Sequence, residues 1–168
     1  MLIVISGGST TAEYLINMML EQNHRIVVIE EDHDSIEHLA EALPPEVLLV
    51  EGDGTDSAVQ LDAGVNDADL FIALMGHDDT NLVACEIAMT AFNVPRCIAN
   101  VNSPKNNRIF KEVGIEPVSS TELIARMVEE EDGLEMINGS TVLMPGDTVI
   151  AAVKSEAEEE FHAVLRHL

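Results

Sequence analysis

Tryptophan is absent from this 168-residue chain, tyrosine occurs once and phenylalanine four times. A core built from such a sequence has to be aliphatic, with methionine filling its gaps. Bases are almost as scarce: 8 Lys and Arg stand against 31 Asp and Glu, a formal net charge of −23. Nucleic-acid binding rests on Lys and Arg neutralising phosphates, and docking on anionic lipid needs the same charges, so the balance weighs against both partners. The three lysines, Lys105, Lys111 and Lys154, suit a salt-adapted cytoplasm in which counterions relieve self-repulsion. Cys85 and Cys97 lie inside apolar runs and read as buried, reduced thiols. No apolar stretch reaches 18 residues, and no basic region precedes the short apolar run at the N-terminus. The expectation is a protein without membrane insertion, cytoplasmic by default.

Catalytic spacings are missing too. The six histidines form no H-E-x-x-H, no C-x-x-C occurs, and no serine sits in a G-x-S-x-G elbow. Glu158 and His162 lie one helical turn apart and read as a solvated face. A dehydrogenase would also need a substrate domain, for which this length leaves no room. The chain is expected not to be an enzyme.

A hydrophobic fraction of 46% is what a folded domain needs, despite the charge. Five short, nearly all-apolar runs recur at Leu2–Ile5, Ile26–Ile29, Val47–Val50, Leu70–Leu74 and Cys97–Val101. Continuous rather than alternating apolar residues suit strands buried on both faces, and therefore a parallel sheet covered by helices. Between them, helical spacing covers Thr10–Gln22, Asp34–Leu43, Asp56–Ala63, Asp79–Phe92 and Lys105–Val113. Glu116–Val118 is a candidate sixth strand, and Thr121 is expected to open another helix ending near Glu131. The fold class is α/β: a doubly wound, Rossmann-like parallel sheet with a small C-terminal β-hairpin plus helix. The acidic run Glu129–Asp132 places a boundary that divides the chain into 1–131 and 132–168. In the second part, Thr141–Met144 and Thr148–Val153 flank a Pro145-Gly146-Asp147 turn, and Ser155 precedes an amphipathic helix.

In this fold class ligands bind at the carboxyl ends of the strands, where the strand order reverses. The first strand runs into Gly7-Gly8-Ser9-Thr10-Thr11-Ala12. Against the dinucleotide pattern G-x-G-x-x-G the glycine slots hold Gly7, Ser9 and Ala12, so the backbone and hydroxyls of residues 7–11 are candidate phosphate contacts. A plain turn in which Ser9, Thr10 and Thr11 cap the helix explains the same residues. Glu30 ends the second strand, 23 residues beyond Gly7, where a carboxylate can accept from ribose hydroxyls and reject a 2′-phosphate. After the third strand, Gly52-Asp53-Gly54 makes a tight turn that leaves Asp53 free at the ligand edge, with Asp56 or Thr55 capping the next helix. After the fourth, Met75-Gly76-His77 lies beside the switch point. Gly76 lets a ligand approach, His77 is a possible contact or an exposed loop residue, and Asp78 or Asp79 caps the helix.

Together these features resemble the TrkA N-terminal domain, also called the RCK or KTN domain, of potassium transporters and channels. The resemblance lies in Gly7-Gly8, Glu30, the segment Gly52-Asp53-Gly54-Thr55-Asp56 and Asp79-Thr80-Asn81-Leu82. It continues in Val94-Pro95-Arg96, Ile98-Ala99-Asn100-Val101-Asn102, Gly114-Ile115-Glu116 and Val118-Ser119-Ser120. Met144-Pro145-Gly146-Asp147-Thr148-Val149 is similar to the last part of the family's C-terminal domain. The resemblance implies a cytoplasmic regulatory subunit whose nucleotide ligand, NAD, NADH, ATP or ADP, biases gating through domain rearrangement. It also implies a membrane-embedded potassium transporter or channel partner, peripheral placement at the inner membrane face, and homodimers or larger rings. Glycine loops of calcium-gated channel domains are similar to Gly7–Thr11, and such domains place calcium near the position of Asp53, with acids at those of Asn100 and Asn102. An ion-sensing domain, or an assembly domain with a decayed nucleotide loop, is the alternative.

Overall fold

The computed structural model describes residues 1–122 and 124. The expected boundary near residue 131, the hairpin and the final helix lie outside the described residues. The strands are β1 (Leu2–Ser6), β2 (Arg25–Glu30), β3 (Leu48–Glu51), β4 (Leu70–Ala73), β5 (Cys97–Asn100) and β6 (Glu116–Val118). The helices are α1 (Thr10–Glu21), α2 (His33–Ala42), α3 (Ser57–Asp62), α4 (Asp78–Thr90) and α5 (Asn107–Glu112).

All strand pairs are parallel, and the sheet order is β3-β2-β1-β4-β5-β6. The chain moves outward from β1 to β3, then returns to β1's other side with β4. That reversal is the doubly wound topology the all-apolar runs predict. Strand alternation divides the core into two layers. Val4, Val27, Ile29, Phe71 and Ala99 face one side, with Ala84, Cys85 and Ala88 of α4 and Phe110 of α5. Ile3, Ile5, Ile26, Val28 and Ile72 face the other, with Ala12 and Ile16 of α1 and Leu39 of α2. Each large aliphatic side chain so buried contributes about 1.5–3 kcal/mol. No described helix is long and apolar enough to cross a membrane.

Capping chemistry moves several helix starts from the expected positions. Asp32 caps α2, its carboxylate accepting the Ser35 N–H at 2.8 Å, so the helix opens at His33 rather than Asp34. The single helix expected over Lys105–Val113 is a 3-10 turn at Pro104–Asn106 followed by α5, with Pro104 opening the turn. The helix expected to open at Thr121 begins at Ser120, where the Ser119 hydroxyl accepts the Glu122 N–H at 3.3 Å.

Candidate functional site

The reversal of strand order leaves a cleft of about 430 Å³ at the carboxyl ends of β1 and β4, within the size range of small-molecule sites. Of the candidate residues, Gly7, Gly8, Ser9, Glu30, Asp53, Gly54, Met75, Gly76 and His77 all line it. Thr10 and Thr11 do not; both are exposed in the first turn of α1.

Close packing dictates the glycines on the β1 side. Gly7 has φ +108°, and a Cβ there would stand 2.8 Å from the Leu74 carbonyl carbon. A Cβ on Gly8 would meet Leu39 Cδ1 at 2.7 Å, and one on Gly54 would meet the buried Ser6 hydroxyl at 1.9 Å. Gly76 is different: a Cβ there meets nothing within 4 Å, so its backbone borders open space.

Two loop amides expected to be free for phosphate already have acceptors. The Gly7 N–H donates to the Ile29 carbonyl at 2.8 Å, and the Gly8 N–H donates to Glu30 Oε2. The other Glu30 oxygen, Oε1, accepts the Asp32 N–H at 2.8 Å. Glu30 thus pins the β1–α1 loop to the start of α2, and each of its oxygens keeps capacity to accept a further hydrogen bond. Ser9 is the N-cap of α1, with its hydroxyl 3.4 Å from the Ala12 N–H.

Asp53 is not free, contrary to the sequence expectation. Its Oδ1 accepts both the N–H and the hydroxyl of Thr55 at 2.8 Å, closing an Asx-type turn. Asp56 caps α3 as expected, accepting the Ala58 N–H at 2.7 Å. Gln60, fully buried beneath this turn, donates to the Gly54 and Ala84 carbonyls at 2.7 and 3.0 Å.

The opposite wall depends on residues that sequence reasoning read otherwise or missed. His77, exposed, is the N-cap of α4 but makes no side-chain capping bond. Asp78 does not cap the helix. Its carboxylate accepts from the Asn102 N–H (2.7 Å), the Ser103 N–H (3.1 Å) and the Asn106 side chain (2.7 Å). Burial raises its pKa, but donation from Asn102, Asn106 and Ser103 outweighs that and holds the carboxyl below its ordinary value. Asn81 is fully buried and makes a two-way amide pair with Met75, its Oδ1 accepting from Met75 N–H and its Nδ2 donating to Met75 O, each at 2.9 Å. The same Nδ2 also donates to Asn100 O at 2.9 Å. Its signal was available: Asn81, Ala84, Cys85 and Ala88 share one stripe of α4, so a buried amide needed partners. Cys85 and Cys97 are both buried free thiols, and hydrogen bonding to Cys97, with burial, pushes the Cys85 thiol up.

The residues of the alternative ion site are committed elsewhere. Asn102 donates to Gly76 O at 2.9 Å, and its Oδ1 lies 3.3 Å from the Asn100 amide nitrogen, while Asp53 holds Thr55. Among the described residues no three His, Cys, Asp or Glu side chains form a metal-holding group. A second depression, of about 520 Å³ beside α5, has no glycine loop, and its Arg108 is paired with Glu112 at 2.7 Å.

Residues 3–121 match the TrkA-N domain. The Trk system potassium uptake protein TrkA homolog of Methanothermobacter thermautotrophicus is 34% identical over 125 residues, which cover 74% of this chain and 56% of that protein. The solved GsuK channel bound to NAD is 26% identical with a TM-score of 0.66, over 75% of this chain and 22% of the channel chain. GsuK bound to ADP is 25% identical with a TM-score of 0.67, over 78% and 34%. This chain spans about half the length of the first of these relatives. With the parallel sheet, the β1/β4 cleft and a match over residues 3–121, the chain belongs to the TrkA-N domain family.

Proposed function

We propose that the chain is the ligand-sensing regulatory domain of a potassium transport system, binding an adenine nucleotide across the carboxyl ends of β1 and β4. The observation that carries this reading is the cleft itself, with the Gly7-Gly8 cradle on one wall and Glu30 fixed beside it. The residues fit such a ligand. Glu30 has lone pairs for ribose hydroxyls, Gly76 leaves the β4 wall open, and the N-terminus of α1 favours negative charge. Because Gly7 and Gly8 N–H are occupied, the phosphates would rest at Ser9, the N-cap of α1, on its hydroxyl and the positive end of the helix. Asp53 would lie beside the adenine.

The domain carries no chemical step; its output is mechanical. A ligand that binds one arrangement of paired domains better than another shifts the population toward it and so biases a membrane-embedded transporter or channel. TrkA relatives are named as potassium uptake proteins, and GsuK is a channel solved with NAD and with ADP. Those names support a cytoplasmic placement against a membrane partner; assembly as a homodimer or larger ring is part of the same proposal. The competing reading, an assembly domain whose loop no longer takes a ligand, draws on the two satisfied loop amides.

Thermal melting at fixed salt against ATP, ADP, AMP, NAD and NADH separates the two. A ligand at 100 times its dissociation constant stabilises by about 2.7 kcal/mol, a rise of roughly 5–10 °C at this size. A rise with any of them supports sensing. A flat response to all five favours assembly.

A further inference from the structure

The cleft has an unusual charge for a site that would hold phosphates. Glu30, Glu31 and Asp53 line it, together with Ser9, the N-cap of α1, and neither Lys nor Arg does. The closest thing to a cation is His77. The first 95 residues contain one base, Arg25, and it starts β2, at the sheet edge away from the cleft. Arg96 precedes β5 at that same far edge and is paired to Glu116 at 2.7 and 2.8 Å. Nor does the glycine loop offer a full set of donors, because Glu30 itself takes the Gly8 N–H. Glu31 is exposed, and Asp53 keeps its Oδ2 after Oδ1 has bound Thr55.

Each additional phosphate charge therefore meets carboxylates that no basic side chain compensates, with only the partial charges of the helix N-termini at Ser9, Ser35 and His77 to set against them. We infer that the cleft ranks adenine nucleotides by net charge, taking NAD⁺ ahead of ADP and ADP ahead of ATP, and that Glu31 and Asp53 are the residues that impose the ranking. NAD⁺ carries roughly one net negative charge, because its cationic ring offsets one phosphate, whereas metal-free ATP carries roughly four. This inference rests on the nucleotide reading above and deepens it, because it names which nucleotide class the site accepts.

The test is calorimetric titration of the full chain with NAD⁺, ADP and ATP in magnesium-free buffer, at about 0.05 M and about 1 M salt. The Debye length falls from above 10 Å to about 3 Å between these conditions. At low salt NAD⁺ is expected to bind about tenfold or more tightly than ATP. At high salt the ratio is expected to contract to about threefold or less. In the isosteric double variant Glu31→Gln with Asp53→Asn, whose new amide oxygen still accepts from Thr55, the low-salt ratio contracts in the same way. The control double variant Glu21→Gln with Asp67→Asn removes two charges from the opposite edge of the sheet and should keep the parental ratio. ATP binding as tightly as NAD⁺ at low salt overturns the inference while leaving the nucleotide reading intact. So does a ratio that ignores Glu31 and Asp53, or one that contracts equally in the control. If none of the three nucleotides binds, the nucleotide reading itself fails and the ranking falls with it.

Discussion

Met75 owes both its backbone bonds at the cleft wall to one buried amide. Asn81 satisfies the N–H and the C=O of Met75 and then reaches Asn100 on β5. Asn81→Leu fills a similar volume but leaves those backbone groups without partners, at a cost of roughly 1–3 kcal/mol for each buried group orphaned. Urea unfolding is expected to show a loss of at least about 2 kcal/mol. A variant as stable as the parent would mean the wall relaxes to find water. Asp78 does a related job through charge rather than shape, joining the start of α4 to the β5–α5 connection through three donors. Its folded pKa is lowered, so its contribution is present above the ordinary carboxylate value and is lost as pH falls through the lowered one. Parent stability should therefore drop between about pH 5 and pH 2 more steeply than that of Asp78→Asn. Parallel profiles would show that the carboxylate charge adds nothing. The role of Asp78 was not legible as such: an aspartate at the head of a helix reads as a cap, and only the fold brings Asn102, Ser103 and Asn106 within its reach.

Among the elements, the glycines of the cleft divide into two kinds, and substitution distinguishes them. Gly7→Ala places a methyl against the Leu74 backbone at a left-handed φ and is expected to destabilise by well over 1 kcal/mol, or to prevent folding. Gly76→Ala projects into open space and should melt within about 2 °C of the parent. Ser9→Ala removes the α1 cap, at about 1 kcal/mol. The strands themselves could be read from their apolar runs, because burial on both faces leaves little room for polar residues. The order β3-β2-β1-β4 follows from the same pattern with short helical crossovers. Boundaries moved by a residue or two where capping decides them, as at Asp32 and Ser119, and where Pro104 breaks the rotation before α5. Gly7, Glu30 and Gly76 could be placed at one edge from the sequence because each stands at or just beyond the carboxyl end of a strand. The engagement of Asp53 with Thr55, and of Glu30 with Gly8, depends on side-chain geometry that strand position alone does not determine.

At the scale of the whole molecule, a net charge of −23 repels itself, and screening should relieve it. The melting temperature is expected to rise as salt goes from about 0.05 M to about 1 M, where the Debye length is about 3 Å. A fall across that range would indicate that the few ion pairs, such as Arg96–Glu116, outweigh the repulsion. The same charge places a condition on the proposed sensing, since a nucleotide would have to enter an acidic cleft and be held by geometry more than by counter-charge. The most direct test of the account is a calorimetric titration of NAD⁺ into the parent and into Glu30→Ala at one salt concentration, with melting curves to establish that the variant is folded. If the ribose rests on Glu30 in the β1/β4 cleft, the dissociation constant should rise about tenfold or more, the loss of a charge-assisted hydrogen bond. A folded Glu30→Ala that binds NAD⁺ as tightly as the parent would contradict that placement.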